Sequence, residues 1–464
     1  MRHLAPEEES YLNRNPAGFG RRRTVLRHYR LKGYRRLAIF RGLPSTFSAG
    51  VYMPMPWPVK AFLALGALLL VQSAWSLVDG YRFLRFVRRR RSRPVENYAP
   101  PAAVVIPCKG VDAGFESNLD RFLTQDYPNY QVVFVVAAPS DPAYRCIQER
   151  LATLQESGIV RTPKTSLVVA GISDERGDKV NNLLHGLGAL DQSVEALVFA
   201  DIDVSPSPDW LRSLVAPLSD PHITVSTGFR WYLPGEGFVS QLRAAWDTSL
   251  ATLLGDHDHN FAWGGSMAIR VADFRKLRVA ERYWANTVSD DYALTRAVHE
   301  AGGRIEFEPR CLVASREESS LREFLHWSNR QIIITRVYAA HWWRRGLAAY
   351  GFYGGSLVLG GVALLMPGVT VEQRFAVAGT LLAILLLGAA KGRIRSIVAR
   401  ELFPAEAASL QRLASRYWQL TPLVPWVMLG NFLVAGLTRR IEWRGTQYEL
   451  VSPQKVRVLA RDHL

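Results

Sequence analysis

The sequence predicts an α/β domain with a mostly parallel sheet, set between one N-terminal membrane helix and about three C-terminal ones. Three observations carry this expectation. Short, continuous, β-branched apolar runs alternate with segments of helical period between about residues 100 and 340. Uncharged apolar stretches stand on both sides of that region, each bordered by arginine or lysine. The 464-residue chain carries a formal charge of +16, an excess that calls for nucleic acid or an anionic membrane surface as a partner. No helix-turn-helix, zinc-finger or aromatic-basic RNA-binding pattern accompanies the charge, so the membrane is the expected partner and nucleic acid is not. No obligate protein partner is evident. Cys108, Cys146 and Cys311 are scattered and odd in number, which suits a reducing compartment better than a disulfide framework.

Residues 1–52 read as a basic arm on phospholipid head groups, with Arg21, Arg22 and Arg23 in a row. A translation start at Met53 or Met55 is the competing account of them. Residues 58–80 read as a transmembrane anchor, since Ala61 to Val78 is uncharged and approaches the roughly 20 residues that span a bilayer. The arginines that follow, Arg82 to Arg93, place the next segment in the cytosol. Residues 96–342 form the soluble domain, with strands expected at Ala103–Ile106, Val132–Val136, Ser166–Ala170 and Ala196–Ala200. Helices are expected around Leu119–Thr124 and Lys179–Ala189. Residues 346–440 return to apolar character at Leu347–Met366, Phe375–Ala390 and Leu420–Leu437. A third full crossing would leave Arg439, Arg440 and Arg444 outside, so a re-entrant or shallow segment, or an extra dip near Ser396–Leu413, is required. Residues 441–464 read as a basic cytosolic tail.

Two acidic motifs stand out. An apolar strand ends abruptly in Asp201-Ile202-Asp203. Alternate strand residues share a face, so both carboxylates can serve one Mg2+ or Mn2+, hard ions that also bind diphosphate oxygens. A turn with solvated aspartates is the alternative. Asp290 and Asp291 open a helix-period run, where carboxylates cap free amides. Two adjacent ones exceed a cap's need; repulsion would raise one pKa, and such a group can act as general base toward a hydroxyl. Between the motifs, Gly264 and Gly265 permit close backbone approach to an anionic ligand, or simply form a turn. Asp256-His257-Asp258-His259 reads as a solvated loop rather than a metal site, because no further ligand is spaced to complete it.

In order, VVIPCKGVD, SNLDRFLTQDYPNYQVVFVV, GDKVNNL, DID, GGSMAIR and SDDYALTRAVHEAG resemble the ceramide glucosyltransferases, membrane members of the inverting family-2 and family-21 glycosyltransferases, whose relatives include bacterial enzymes acting on hopanoids and other glycolipids. Trp443-Arg444-Gly445 with Tyr448 and Leu450 is similar to that family's C-terminal tail, and the likeness runs from about residue 60 to 450. The resemblance implies a GT-A nucleotide-sugar-binding fold and transfer, with inversion and a divalent metal, from a nucleotide-sugar such as a UDP-sugar to a lipid acceptor. It implies donor-binding roles for Lys109, Asp112, Asp141, Lys179, Asn181, Asn182, Asp201, Gly264 and Gly265, and a metal at Asp201 and Asp203. Asp291 takes the base position, and Asp290 stands where relatives carry glutamate. The family's (Gln or Arg)-x-x-Arg-Trp motif is reduced here to Trp327-Ser328-Asn329-Arg330-Gln331, leaving Arg330 to stabilise leaving diphosphate, with Arg336 a second candidate. The missing tryptophan bears on acceptor placement. A processive polysaccharide synthase, a hopanoid-specific enzyme and an inactive nucleotide-sugar-binding scaffold are the competing readings.

Overall fold

The computed structural model describes residues 55–156, 163–315, 318–413 and 415–461. The arm expected over residues 1–52 lies outside them. Seven strands form one sheet: β1 (Ala102–Cys108), β2 (Tyr130–Val136), β3 (Lys164–Val169), β4 (Ala196–Ala200), β5 (Ile223–Tyr232), β6 (Ser266–Arg270) and β7 (Arg304–Ser315), in the order β3-β2-β1-β4-β6-β5-β7. All neighbours are parallel except β6, which runs antiparallel to both β4 and β5. The expected mostly parallel α/β sheet is therefore what the chain adopts.

β1, β2 and β4 are almost wholly apolar because both of their faces are covered. Val104, Ile106, Val132, Phe134 and Val198 enter one core, while Val105, Val133, Val135, Leu197 and Phe199 enter the opposite one. That division follows from the two-residue period of a strand. β1 and β4 are adjacent although β2 and β3 extend away on the other side of β1. The strand order thus reverses at β1, and a crevice opens beyond the carboxyl ends of β1 and β4. Cys108 and Asp201 stand there.

Among the described residues, four helices are long and apolar enough to cross a membrane: Trp57–Ser92, Ala340–Leu365, Val371–Leu402 and Trp418–Leu437, one before the sheet domain and three after it. The first and third exceed a bilayer's needs, at about 1.5 Å per residue. Their surplus turns pack against the sheet domain, Phe83, Phe86, Val87, Ile394 and Val398 meeting Trp231 and Phe307. Arg90 adds ion pairs to Glu308 at 2.9 Å and Glu306 at 3.3 Å on β7, and Arg88 binds Glu401 at 2.5 Å across the two helices. Ser396–Leu402 simply continues the third helix, and a helix at Ala407–Leu413 follows it.

The fourth helix is broken: Thr421–Leu423 form a 3-10 turn beside Pro422 and Pro425, and an α-helix resumes at Val424–Leu437. Its Asn431 accepts from Trp246 Nε1 at 3.1 Å and donates to Ser328 Oγ at 3.0 Å and Asn329 Oδ1 at 2.7 Å. Of the stretch expected as a basic tail, the described residues up to Arg461 enter a three-stranded antiparallel sheet of β8 (Arg440–Trp443), β9 (Thr446–Ser452) and β10 (Lys455–Arg461).

Candidate active site

A single cavity of about 1100 Å³ opens at the crevice. Its wall includes Lys109, Lys179, Asn182, Asp201, Asp203, Asp290, Asp291 and Arg330 from the sequence expectations, and continues to Gln72, Tyr353, Ile384, Leu387 and Gly388 on the apolar helices. Asp112, Asp141 and Asn181 stand outside that wall.

Asp201 and Asp203 follow β4 directly and are both about a quarter exposed. The helix Asp178–Gly186 begins beside them and delivers Lys179, whose Nζ lies 2.8 Å from Asp201 and 3.2 Å from Asp290. Arg230, buried on β5, meets Asp203 at 2.6 Å and Asp201 at 3.6 Å. Burial pushes Asp203 up, yet Arg230, Arg444 and Lys179 hold it below the usual carboxylate range. The donor set suits a hard divalent cation: two oxygen-bearing side chains at one strand end, reachable from the cavity. Among the described residues no third His, Cys, Asp or Glu completes a cage, so diphosphate oxygens and water would supply the other ligands. Asp256 and Asp258 of the His-rich loop pair with Arg304 at 3.8 and 3.6 Å instead.

The helix Asp290–Glu300 is capped by Ser289, whose hydroxyl accepts from the Tyr292 amide. Asp290 and Asp291 are thus its first two residues rather than its cap, and they diverge. Asp290 is fully buried, and its pKa is pushed up to about 7, first by burial and then by Asp291 and Asp201, against the pull of Lys179. Burial pulls Lys179 down, yet it moves upward too, because three carboxylates surround it while Asp290 must share one ammonium with Asp201. Asp291 keeps one oxygen on the Ser289 hydroxyl and the Tyr292 amide, at 2.7 Å from the latter. Its other oxygen accepts from the Gly264 amide at 3.4 Å, and Asp291 lines the cavity.

Gly264 and Gly265 hold this spacing open. A Cβ at Gly264 would collide with the Asp290 carboxylate and sit 2.7 Å from Lys179 Nζ; one at Gly265 would strike Trp263 and sit 2.8 Å from Asp201. Asp141 accepts from the amides of Gly110 and Ala143 at 2.8 and 2.9 Å, shaping the turn after β1. Lys109 pairs with Asp178 at 2.9 Å. Asn182 donates to Val135 O at 3.3 Å, and Asn181 donates to Gly171 O at 3.0 Å.

Arg330 and Arg336 share the helix Leu321–Tyr338 but part company. Arg330 reaches the cavity with its guanidinium 5.2 Å from the Trp443 ring, so an aromatic neighbour comes from the C-terminal sheet although position 331 is glutamine. Burial, then the nearby Arg444, Arg243 and Arg230, push it down to about 10, which leaves it charged at neutral pH. Arg336 instead donates to Ala435 O at 2.5 Å and Thr438 O at 3.3 Å, at the end of the helix Val424–Leu437. Arg230 and Arg444 escaped the sequence reading as site residues. Arg230 could have been noticed as the lone cation within an apolar strand, GFRWY.

The chain shares 16% identity with a mannosyltransferase from Pyrobaculum calidifontis solved with GDP-Man and Mn2+, over 81% of this chain and 98% of that one, with a TM-score of 0.40. It shares 18% with glucosyl-3-phosphoglycerate synthase from Mycobacterium tuberculosis solved with Mn2+ and UDP-Glc, over 51% and 78%, with a TM-score of 0.34. The model of glycosyl transferase family 21 matches residues 66–456, which takes in the strand-end aspartates, the paired aspartates before Tyr292, Arg330 and the hairpin arginine together. This chain belongs to glycosyl transferase family 21.

Proposed function

We propose that the protein transfers a sugar from a nucleotide-sugar, a UDP-sugar on the family resemblance, to a hydroxyl of a membrane lipid such as ceramide, with inversion. One observation carries the reading: the carboxylates and the apolar helices line the same cavity. A water-soluble donor entering at the sheet edge and a lipid entering between helices would meet beside Asp291.

Asp291 accepts the acceptor hydroxyl's proton as that oxygen bonds to the anomeric carbon and the bond to the diphosphate breaks. Attack from the face opposite the leaving group turns an α-linked donor into a β-glycoside. Asp201 and Asp203 would hold Mg2+ or Mn2+, which supplies charge neutralisation for the departing diphosphate. Lys179, Arg230 and Arg330 add fixed positive charge on the donor's side. Ser289 and the Tyr292 amide orient Asp291 so that its second oxygen points at the acceptor.

The catalytic domain sits on the cytoplasmic side of a bacterial inner membrane in this reading, since Arg88 to Arg91 adjoin it. The fourth apolar helix is long enough to cross only if taken whole; its part beyond the break at Thr421–Leu423, Val424–Leu437, spans about 21 Å, short of a bilayer core, and its Asn431 is bonded to Trp246. It lies shallowly along the interface, which keeps Arg439, Arg440 and Arg444 on the catalytic side. Purified protein in nanodiscs, given UDP-sugars, Mn2+ and lipid extract, should form one glycolipid detectable by mass spectrometry. Donor hydrolysis without any glycolipid would defeat the lipid assignment, and chains of several sugars would favour a processive synthase.

A further inference from the structure

We infer that Arg444, at the tip of the β8–β9 hairpin, binds the diphosphate of the nucleotide donor, so that the C-terminal sheet forms one wall of the donor site. The inference rests on the donor-site reading above and names a residue that reading does not use.

Trp443 pairs with Thr446 across the hairpin, which makes Arg444 and Gly445 the two central turn residues. Both have positive φ, 46° and 73°. That pattern is a two-residue turn of the primed kind, whose first central position favours asparagine, aspartate or glycine. Arginine gains nothing from the turn itself, so its side chain is the reason to look there. The guanidinium enters the cavity wall. It lies 2.5 Å from Asp112, donates to Lys109 O at 3.1 Å, and stands 3.9 Å from Asp203.

Its present partners are exchangeable. Asp203 already takes two hydrogen bonds from Arg230, so Arg444 is surplus at that carboxylate. Asp112 is half exposed, and a pair so placed contributes little. A diphosphate beside Asp203 offers more negative charge and the oxygen geometry that a guanidinium fork matches.

The hairpin is registered to the element that carries Lys179. Thr446 Oγ1 donates to Asp178 at 2.9 Å, the Asp178 amide donates to Tyr448 Oη at 3.1 Å, and Arg461 meets Asp178 at 3.3 Å. Asp178 is the first residue of the helix whose second residue is Lys179. Two cations far apart in sequence, Lys179 and Arg444, are therefore set at one spacing around the place a diphosphate would occupy.

The test is titration calorimetry of UDP, in buffer with Mn2+, into the full chain in nanodiscs. Wild type must bind; no binding would defeat the donor-site reading itself. Arg444→Ala should weaken UDP binding about tenfold or more, as loss of a charge-assisted hydrogen bond implies. Arg444→Lys should fall between, and Arg440→Ala, which removes equal charge from an exposed position on the same sheet, should match wild type. Wild-type affinity in Arg444→Ala would overturn the inference. A second readout needs no variant: UDP should slow tryptic cleavage after Arg439 and Arg440, while uridine should not. Equal protection by both ligands, or by neither, would count against a phosphate-binding hairpin.

Discussion

At the sheet end of the cavity Asp201, Asp203, Asp290 and Asp291 crowd together, each met by a lysine, an arginine or a hydrogen-bond donor. At the helix end the wall is Tyr350, Tyr353, Ile384, Leu387 and Gly388, with Lys391 and Arg395 one helical turn apart beside them. The first end is a lattice of fixed charges, where moving one group disturbs several others. The second is apolar space with room to spare, since a Cβ at Gly388 would meet nothing within 4 Å. On the proposed function, chemistry and acceptor choice fall to different ends of one volume, and substitutions can separate them.

The largest effect should come from the charged end. Asp291→Asn keeps the size of the side chain and an oxygen for the Ser289 hydroxyl and the Tyr292 amide, but removes the proposed base. Turnover should fall about 10²–10⁴-fold, while UDP binding stays within about twofold of wild type. Radiolabel transfer and calorimetry measure the two quantities. A variant that turned over at the wild-type rate would move the base elsewhere.

The contrast between the two ends also marks where a linear reading succeeds. β1, β2 and β4 were legible because strands covered on both faces are nearly uninterrupted apolar runs, and the edge strand β3 because it keeps a short one at Leu167–Val169. β5 and β7 were not, since Arg230, Glu306 and Glu308 interrupt them. Those charges are buried against Asp203 and Arg90, partners supplied by other segments, and no local pattern announces such a pairing. The aspartates were legible for the opposite reason: each pair lies within three residues, at a strand end or a helix start. Arg444 joins them through the folding of the C-terminal hairpin onto the turn after β1, and the stretch around it read as a tail. The choice between Arg330 and Arg336 needed the helix's orientation, which one sequence does not contain.

At the helix end, Gly388→Leu should fill the cavity without disturbing the aspartates. The KM for the lipid should rise about tenfold, with the donor KM unchanged, as expected when apolar volume is taken from a binding site. An unchanged lipid KM would mean that the acceptor does not use this part of the cavity.

A smaller effect concerns Asp290. Its carboxyl titrates near 3.8 when unperturbed and at about 7 in the fold. Between those values the folded chain holds more protons than the unfolded one, so stability should fall as pH rises through that window. Asp290→Asn removes the titrating group, and its melting temperature should decline less than wild type's from pH 4.5 to 8. Parallel curves would mean that Asp290 is ionised throughout.

The smallest effect separates the two arginines of one helix. Arg330 faces the cavity, so Arg330→Ala should lower turnover. Arg336 holds the carbonyls of Ala435 and Thr438, and its guanidinium lies 5.3 Å from the Trp343 ring. Cations at a helix's carboxyl end satisfy acceptors that lack intrahelical partners. Arg336→Ala should therefore cost about 1–2 kcal/mol of stability, seen as a lowered melting temperature, while kcat and both KM values stay near wild type. Because the helix Val424–Leu437 leads into β8, that loss should also speed tryptic cleavage after Arg439. If Arg336→Ala instead lowered kcat with no change in melting, the cavity would extend to Arg336, and the boundary between its charged and apolar ends would have to be redrawn.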